Sequence, residues 1–216
     1  MGGLCSKDTT AKKKGEGREG TYSFLDALPS GVEKVTVDHV YDGDTLTIQE
    51  HNKTRVRLIG VDAPELKEKE PYAVESANFV KQLCPKGSPM WLEYDGERTD
   101  RYDRCLAYVY VQNRAGAGYL CVNVAVLEEG LANYYAPGNT NVSKRDIMLK
   151  ASKVARSKKA NIWKSMDLNK KVVHTRNGSA FHSANCEDVR NAKTTTVSVG
   201  EAFDLGLNPC RNCKPV

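Results

Sequence analysis

Residues 32–61 read VEKVTVDHVYDGDTLTIQEHNKTRVRLIGV, and the period of this stretch decides the architecture. Apolar and polar residues alternate in VEKVTVDHV (32–40) and again in TLTIQE (45–50), and RVRLIGV (55–61) continues as a third extended segment. Such alternation puts successive side chains on opposite faces of a half-buried strand. Between the first two segments stands Asp42-Gly43, a tight-turn pair whose glycine tolerates positive φ. The polar HNKT (51–54) turns the chain again, so the three segments make an antiparallel meander. The turn accounts for Asp42. It leaves Asp44, at the head of the second strand, in need of another reason.

Downstream, PYAVESANFVKQLC (71–84) reads as a helix, with Pro71 at its first position and Ala73, Ala77, Val80 and Cys84 on one face. PMWLEYD (89–95) and RCLAYVYVQ (104–112) are strands, the latter closing on the turn-rich NRAGAG (113–118). VNVAVLEEG (122–130) is a short helix ended by Gly130. A longer helix, VSKRDIMLKASKVARSKK (142–159), is expected to bury Ile147, Met148, Ala151, Val154 and Ala155. Five strands with a helix after the third and two more at the end give a mainly β fold with α. The matching architecture is a five-stranded Greek-key barrel of the oligonucleotide-binding (OB) type with three helices.

A length of 216 residues suits one domain plus a small appendage, and 40% hydrophobic with 27% charged residues fits a soluble globular chain. The net charge of +5 points to an acidic partner, nucleic acid first. We divide the chain into a flexible tail (1–30), a barrel domain (31–165), a charged linker (166–171) and a small C-terminal module (172–216), and expect a monomer. That module is too small to be held by an apolar core alone.

The N-terminus, MGGLCSK, lacks the apolar core of a secretory signal and matches the myristoylation pattern at Gly2. One acyl chain anchors only marginally, and palmitoylation of Cys5 or the basic Lys12, Lys13 and Lys14 would supply the second signal. This reading puts a eukaryotic chain on the cytoplasmic face of a membrane. The competing reading is a chance match in an ordinary tail, or a bacterial chain that is not acylated and is cytoplasmic.

RLIGVDAPE (57–65) places Asp62 just past the third strand, beside the strand that begins at Asp44. Two carboxylates from adjacent strand ends, with backbone carbonyls between them, make the hard oxygen site that Ca²⁺ prefers. Glu65 follows across a rigid Ala-Pro step, within reach of a water. Arg57 lies on the same strand, and ERTDRYDR (97–104) brings Arg104 from the next part of the sheet. Guanidiniums clamp phosphates in bidentate fashion, so the set has the parts that phosphodiester hydrolysis needs. Taken singly, each residue also has a plain reading: a turn, a solvated acid, a surface ion pair.

VYDGDT, VRLIGVDAPE, ERTDRYDRCLAYVYV, VNVAVLEEGLA and KKANIW, in that order over about residues 32–164, resemble the staphylococcal nuclease (thermonuclease) family. The resemblance implies a Ca²⁺-dependent endonuclease that hydrolyses DNA and RNA to 3′-phosphate ends. It implies Asp44 and Asp62 as calcium carboxylates, Ala63 as a carbonyl ligand in place of the family's common threonine, and Asp42 as an acid behind them. Arg57 and Arg104 match its phosphate-binding arginines and Glu65 its water-activating acid. Tyr102 and Tyr135 are candidate substrate-binding residues that stack on bases; for Tyr134 and Tyr135, core packing is the competing reading. Asp103, where the family often has glycine, is a candidate competitor for Arg104, and the segment between Glu65 and Tyr72 is shorter than in the staphylococcal enzyme. The same barrel also serves as a binding scaffold in Tudor-SN repeats, which is the alternative; retention of both acids, both arginines and Glu65 favours the enzyme.

A second constellation lies in the tail. His182 and Cys186 are followed by Cys210 and Cys213, two close pairs of the kind tetrahedral Zn²⁺ requires, with four protein ligands and no open catalytic position. AFHSANC with NPCRNCKP resembles small Ada-like metal-binding modules, in which much of the folding free energy comes from the metal. Free thiols or a Cys210–Cys213 redox pair are the other readings. Cys84, Cys105 and Cys121 read as core thiols, and His39, His51 and His174 as strand or surface residues.

Overall fold

The structure, a computed structural model, describes residues 24–114, 117–136 and 142–216; Gly2 and Cys5 lie outside them. Strand β1 (Glu33–Val40) pairs antiparallel with β2 (Thr45–Ile48) on one side and with β5 (Pro89–Glu93) on the other. A register shift between Val37 and His39 moves the inward face from odd to even positions. Val35, Val37 and Val40 therefore all point into the core while His39 is exposed, as a β-bulge requires. β2 pairs with β3 (Arg55–Leu58), and β5 with β6 (Cys105–Gln112). A parallel pairing of β3 with β6, Arg57 opposite Leu106, closes these five strands into the OB-type barrel. Closure leaves the ladder no free edge, and Leu46, Ile48, Val56, Leu58, Met90 and Leu92 fill the interior.

The chain between β2 and β3 makes a single turn, α1 (Glu50–Lys53), with left-handed backbone at His51 and Asn52. After β3 the strand expected to run to residue 61 breaks. Gly60 has φ +74°, and a Cβ there would lie 2.6 Å from the Met148 side chain, so only glycine allows both the turn and the close approach. Beyond it, β4 (Val61–Asp62) leaves the barrel and pairs with β8 (Asn133–Tyr134), Asp62 opposite Asn133.

Helix α2 (Ala73–Leu83) buries Ala73, Ala77 and Val80; it starts after Tyr72, which is left-handed, and not at Pro71. β7 (Tyr119–Cys121), a strand absent from our sequence reading, extends the sheet beside β6 and runs into α3 (Val122–Glu128). Helix α4 (Arg145–Ser157) buries Met148, Ala151 and Ala155, but Ile147 is 47% exposed and Val154 only half-buried. Its inner face is rotated toward Ser152 and Arg156 because a second layer covers it.

That layer is the C-terminal unit. Its sheet has the order β11-β9-β10-β12, from β9 (Lys171–Thr175), β10 (Ala180–His182), β11 (Thr194–Ser198) and β12 (Asn208–Pro209). Helix α5 (Val199–Asp204) carries a capping box between Ser198 and Glu201. Trp163, in the turn η1 (Asn161–Trp163), is fully buried against Phe203, ring centroids 4.9 Å apart, and Phe203 meets Phe181 at 5.2 Å. Ala155 and Trp163 thus share one core with Val172, Phe181, Val199 and Phe203. Buried Arg156 donates to Asp204 at 2.5 Å, and Lys153 meets the same carboxylate at 2.7 Å. Leu168, from the charged stretch expected to be a linker, packs on this core as well. Among the described residues no helix is long and apolar enough to cross a membrane.

Candidate active site

The turn between β1 and β2 sets the first acids. Asp42 is buried and its Oδ1 accepts from the backbone N–H of Asp44 and Thr45, at 3.0 and 2.7 Å. It therefore ties the turn and directs the buried Asp44 side chain inward. Gly43 cannot carry a side chain here: a Cβ would fall 1.9 Å from Ser76 Oγ.

Asp44 Oδ1 accepts from Thr45 Oγ1 at 2.9 Å, and Oδ2 from the Ala63 N–H at 2.8 Å. Arg57 lies across from it. One guanidinium bridges two carboxylates, Nη1 to Asp44 Oδ2 at 3.0 Å and Nη2 to Asp62 Oδ1 at 3.4 Å. Arg57 is itself aimed by the Val61 carbonyl, which accepts from Nη1 at 2.5 Å. The break at Gly60 makes this possible, since it swings Asp62 back toward the end of β2.

Acid crowds this corner. Burial pushes the Asp44 carboxyl up to about 7, with Arg57 opposing and the neighbouring Asp42 adding to the rise. Asp62, half-exposed, is raised by partial burial, with Arg57 and then Arg211 pulling the other way. Glu65 is raised by partial burial and by Asp42, with Arg57 opposing and Asp62 adding to the rise. Asp42, Asp44, Asp62 and Glu65 thus act on one another around a single guanidinium. Such a hard-oxygen set, short of positive charge, suits a divalent cation.

Arg104 enters just before β6, the strand paired with the one carrying Arg57. Its carboxylate partner is Asp100, with Nε at 2.7 Å and Nη2 at 2.6 Å from Oδ2. Asp103, the competitor considered from sequence, instead makes the turn with φ +60° and forms no ion pair with Arg104 among the described contacts. That backbone conformation gives a physical reason for glycine to be favoured at this position. Tyr102 is 65% exposed, with the guanidiniums of Arg101 and Arg104 at 4.8 and 5.3 Å from its ring. Tyr134 is buried in the core, whereas Tyr135 is half-exposed.

The sequence model of the family described as "Staphylococcal nuclease homologue" matches residues 55–165, from β3 through η1. The chain belongs to this family. It is 38% identical over 138 residues to a thermonuclease of Staphylococcus intermedius, covering 61% of this chain and 76% of that protein. It is 36% identical over 135 residues to endonuclease YncB of Bacillus subtilis (60% and 61%), and 35% identical to the prophage-derived endonuclease YokF of the same bacterium (60% and 43%). The match thus spans less than two thirds of the two Bacillus proteins.

Two residues of this staphylococcal nuclease homologue that shape the site escaped the sequence reading. Asn123, fully buried, accepts from the Val109 N–H and donates to the Ile59 and Ala107 carbonyls, at 2.9, 2.9 and 3.2 Å. It fastens the corner from which β4 and Asp62 depart; an amide inside the apolar VNVAVLEE was the available signal. Arg211 was missed because it lies outside the matched region. Its Nη2 donates to Tyr135 Oη at 3.2 Å.

Beyond the family match, His182, Cys186, Cys210 and Cys213 offer ligand atoms that all lie within 4.8 Å of one another. His182 Nδ1 is buried with no hydrogen-bond partner. Burial raises the Cys213 thiol, but hydrogen bonds from the Ser183 backbone and the neighbouring thiols outweigh it and leave it below the ordinary value. Burial raises the other two cluster thiols, Cys186 to about 11 and Cys210 in the same direction, as it does the core thiols Cys84, to about 12, and Cys121, to about 11.

Proposed function

We propose that the chain is a Ca²⁺-dependent, sugar-nonspecific endonuclease that cleaves DNA and RNA to 3′-phosphate ends. The bridging of Asp44 and Asp62 by Arg57 is the observation that carries this reading, because it gathers two hard-oxygen acids and one phosphate-binding cation in one cleft. Kinship with a protein named thermonuclease and two named endonucleases supports the same activity.

The carboxylates of Asp44 and Asp62 and the carbonyl of Ala63 would hold the cation, with Asp42 fixing the turn behind them. When bound, Ca²⁺ supplies positive charge that offsets the charge growing on the phosphate oxygens. Glu65 takes a proton from the attacking water, and its raised pKa makes it a better base near neutral pH than an ordinary surface glutamate. Arg57 and Arg104 bind the phosphate oxygens most strongly as their charge increases. The bond to the 5′ oxygen breaks, leaving phosphate on the 3′ side. Tyr102 offers an exposed ring for an adjacent base.

In the C-terminal unit, His182, Cys186, Cys210 and Cys213 would hold Zn²⁺. The unpartnered, buried His182 Nδ1 supports this, since an imidazole nitrogen is not left so without cost. Four protein ligands leave no open position, so the metal's part is to cross-link β10 to the segment after β12.

Purified protein incubated with single-stranded DNA and Ca²⁺ should release 3′-phosphate ends, and EDTA should stop the release. Equal persistence of substrate in both samples would overturn the reading in favour of a binding scaffold.

A further inference from the structure

The knuckle of the C-terminal unit does more than close a metal site. Asn212 Nδ2 reaches both oxygens of the Asp188 carboxylate at 2.9 and 3.0 Å. Asp188 thus grips the residue after Arg211, Cys210 before it belongs to the ligand cluster, and the arginine side chain projects from a fixed base. It projects toward the barrel. Its guanidinium lies 5.7 Å from the Tyr135 ring and bonds the phenol oxygen. Tyr135 is in turn anchored beside the active-site corner, its N–H donating to the Gly60 carbonyl at 3.1 Å, two residues before Asp62. A second tie, Asn208 Nδ2 to the Ala136 carbonyl at 3.3 Å, keeps the two units in register.

A groove of about 370 Å³ runs here; the barrel contributes Tyr135 alone, and the C-terminal unit lines the rest, with Asp188, Asn208 and Arg211 beside His182 and Cys210 of the ligand cluster. Arg211 is exposed, and among the described residues it forms no ion pair. An arginine held against an aromatic ring, in no ion pair among the described residues yet near enough to act on the Asp62 carboxyl, matches what a single strand needs for backbone and base together.

We propose that Arg211 is a substrate-binding residue of the nuclease cleft, contributed by the C-terminal unit. Its guanidinium takes a backbone phosphate of single-stranded nucleic acid flanking the one cleaved, while the Tyr135 ring receives the adjoining base. This rests on the nuclease reading for the identity of the strand, but not for the contact itself. The C-terminal unit is then part of the active-site cleft, and the order of its knuckle sets how tightly substrate is held.

The test uses the full chain and a fluorescent single-stranded oligothymidylate. Arg211→Gln should raise KM about tenfold and leave kcat within about twofold. Without added Ca²⁺, anisotropy should show the same weakening of binding, with a log–log salt slope shallower by about 0.7, the value of one single-strand phosphate contact. Lys193→Gln removes an equal charge next to β11, at the opposite edge of the sheet from β12, and should change neither. Arg211→Lys should restore most of the salt slope. If Arg211→Gln and Lys193→Gln bind alike, the proposal is overturned; it is overturned equally if kcat falls while KM and binding hold. Should the wild-type chain bind but not cut, the nuclease reading fails and the anisotropy comparison alone decides the role of Arg211.

Discussion

The barrel fixes its polar site from below, whereas the C-terminal unit fixes its own from within. At the barrel end, Asp44 stands at the head of β2, Arg57 on β3 and Asp62 on β4, next to the core residues Leu46, Val56 and Val61, and the barrel sheet is closed on itself. In the C-terminal unit the residues packed around the ligand quartet are few: Val173 and Val189 beside Cys186 and Cys210. Its larger apolar cluster faces the other way, onto Ala155 and Trp163. A closed apolar core can hold unpaired charge in place. A thin sheet docked on a neighbour needs a cross-link to do the same.

Predictions that probe this contrast differ in size. Arg57→Ala should lower kcat by on the order of 10²–10³, the scale for removing one donor to developing charge, measured on protein whose circular dichroism matches the wild type. Turnover close to wild type would remove Arg57 from the mechanism. Asp204→Ala strands the buried guanidinium of Arg156 between the two units and should cost ~3–5 kcal/mol in urea unfolding. A change below about 1 kcal/mol, the scale of an exposed pair, would mean that the two units are not held through this contact.

Cys213→Ser should lose bound zinc and the protection of β9 and β10 in hydrogen exchange, while the barrel strands keep theirs. It should also reproduce the raised KM of Arg211→Gln. Loss of protection in both units together would show that the metal supports the whole molecule.

A further expected effect is on pH. Asp44 has its folded pKa raised to about 7 from an ordinary 3.8, so the stabilisation linked to its protonated form is complete below about pH 4 and is lost as pH rises through 7. Without added Ca²⁺, Tm should therefore fall across that window, and Ca²⁺ should flatten the decline by favouring the ionised carboxylate. Carboxylates held low, such as Asp95 and Asp204, act in the opposite direction below pH 4. A Tm that is flat between pH 4 and 7 without added Ca²⁺ would contradict the burial of Asp44.

Much of the barrel could be read in advance because it is written in local period. Alternation marked the first two strands, apolar β-forming runs marked the other three, and Asp42-Gly43 marked the turn that carries Asp44. What escaped depends on distant partners. Nothing around RLIGVD announces that Gly60 must clear Met148, so the sequence reads as one strand to residue 61. Ile147 fits the apolar stripe of α4 as well as Met148 does, yet it lies outside because the C-terminal unit rotates the buried face toward Arg156. Asp100 and Asp103 are equally near Arg104 in sequence; the left-handed turn at Asp103 decides which carboxylate meets it. That His182, Cys186, Cys210 and Cys213 converge was legible from spacing, but the place of Arg211 beside Tyr135 was not, because no sequence pattern reports how two units dock.

Calcium titration by calorimetry, on the wild-type chain and on Asp44→Asn and Asp62→Asn, addresses the shared cation most directly. One Ca²⁺ should bind the wild type, and each amide should abolish or severely weaken that binding while the circular dichroism spectrum stays the same. Undiminished binding in either variant would mean that the two carboxylates do not serve one ion.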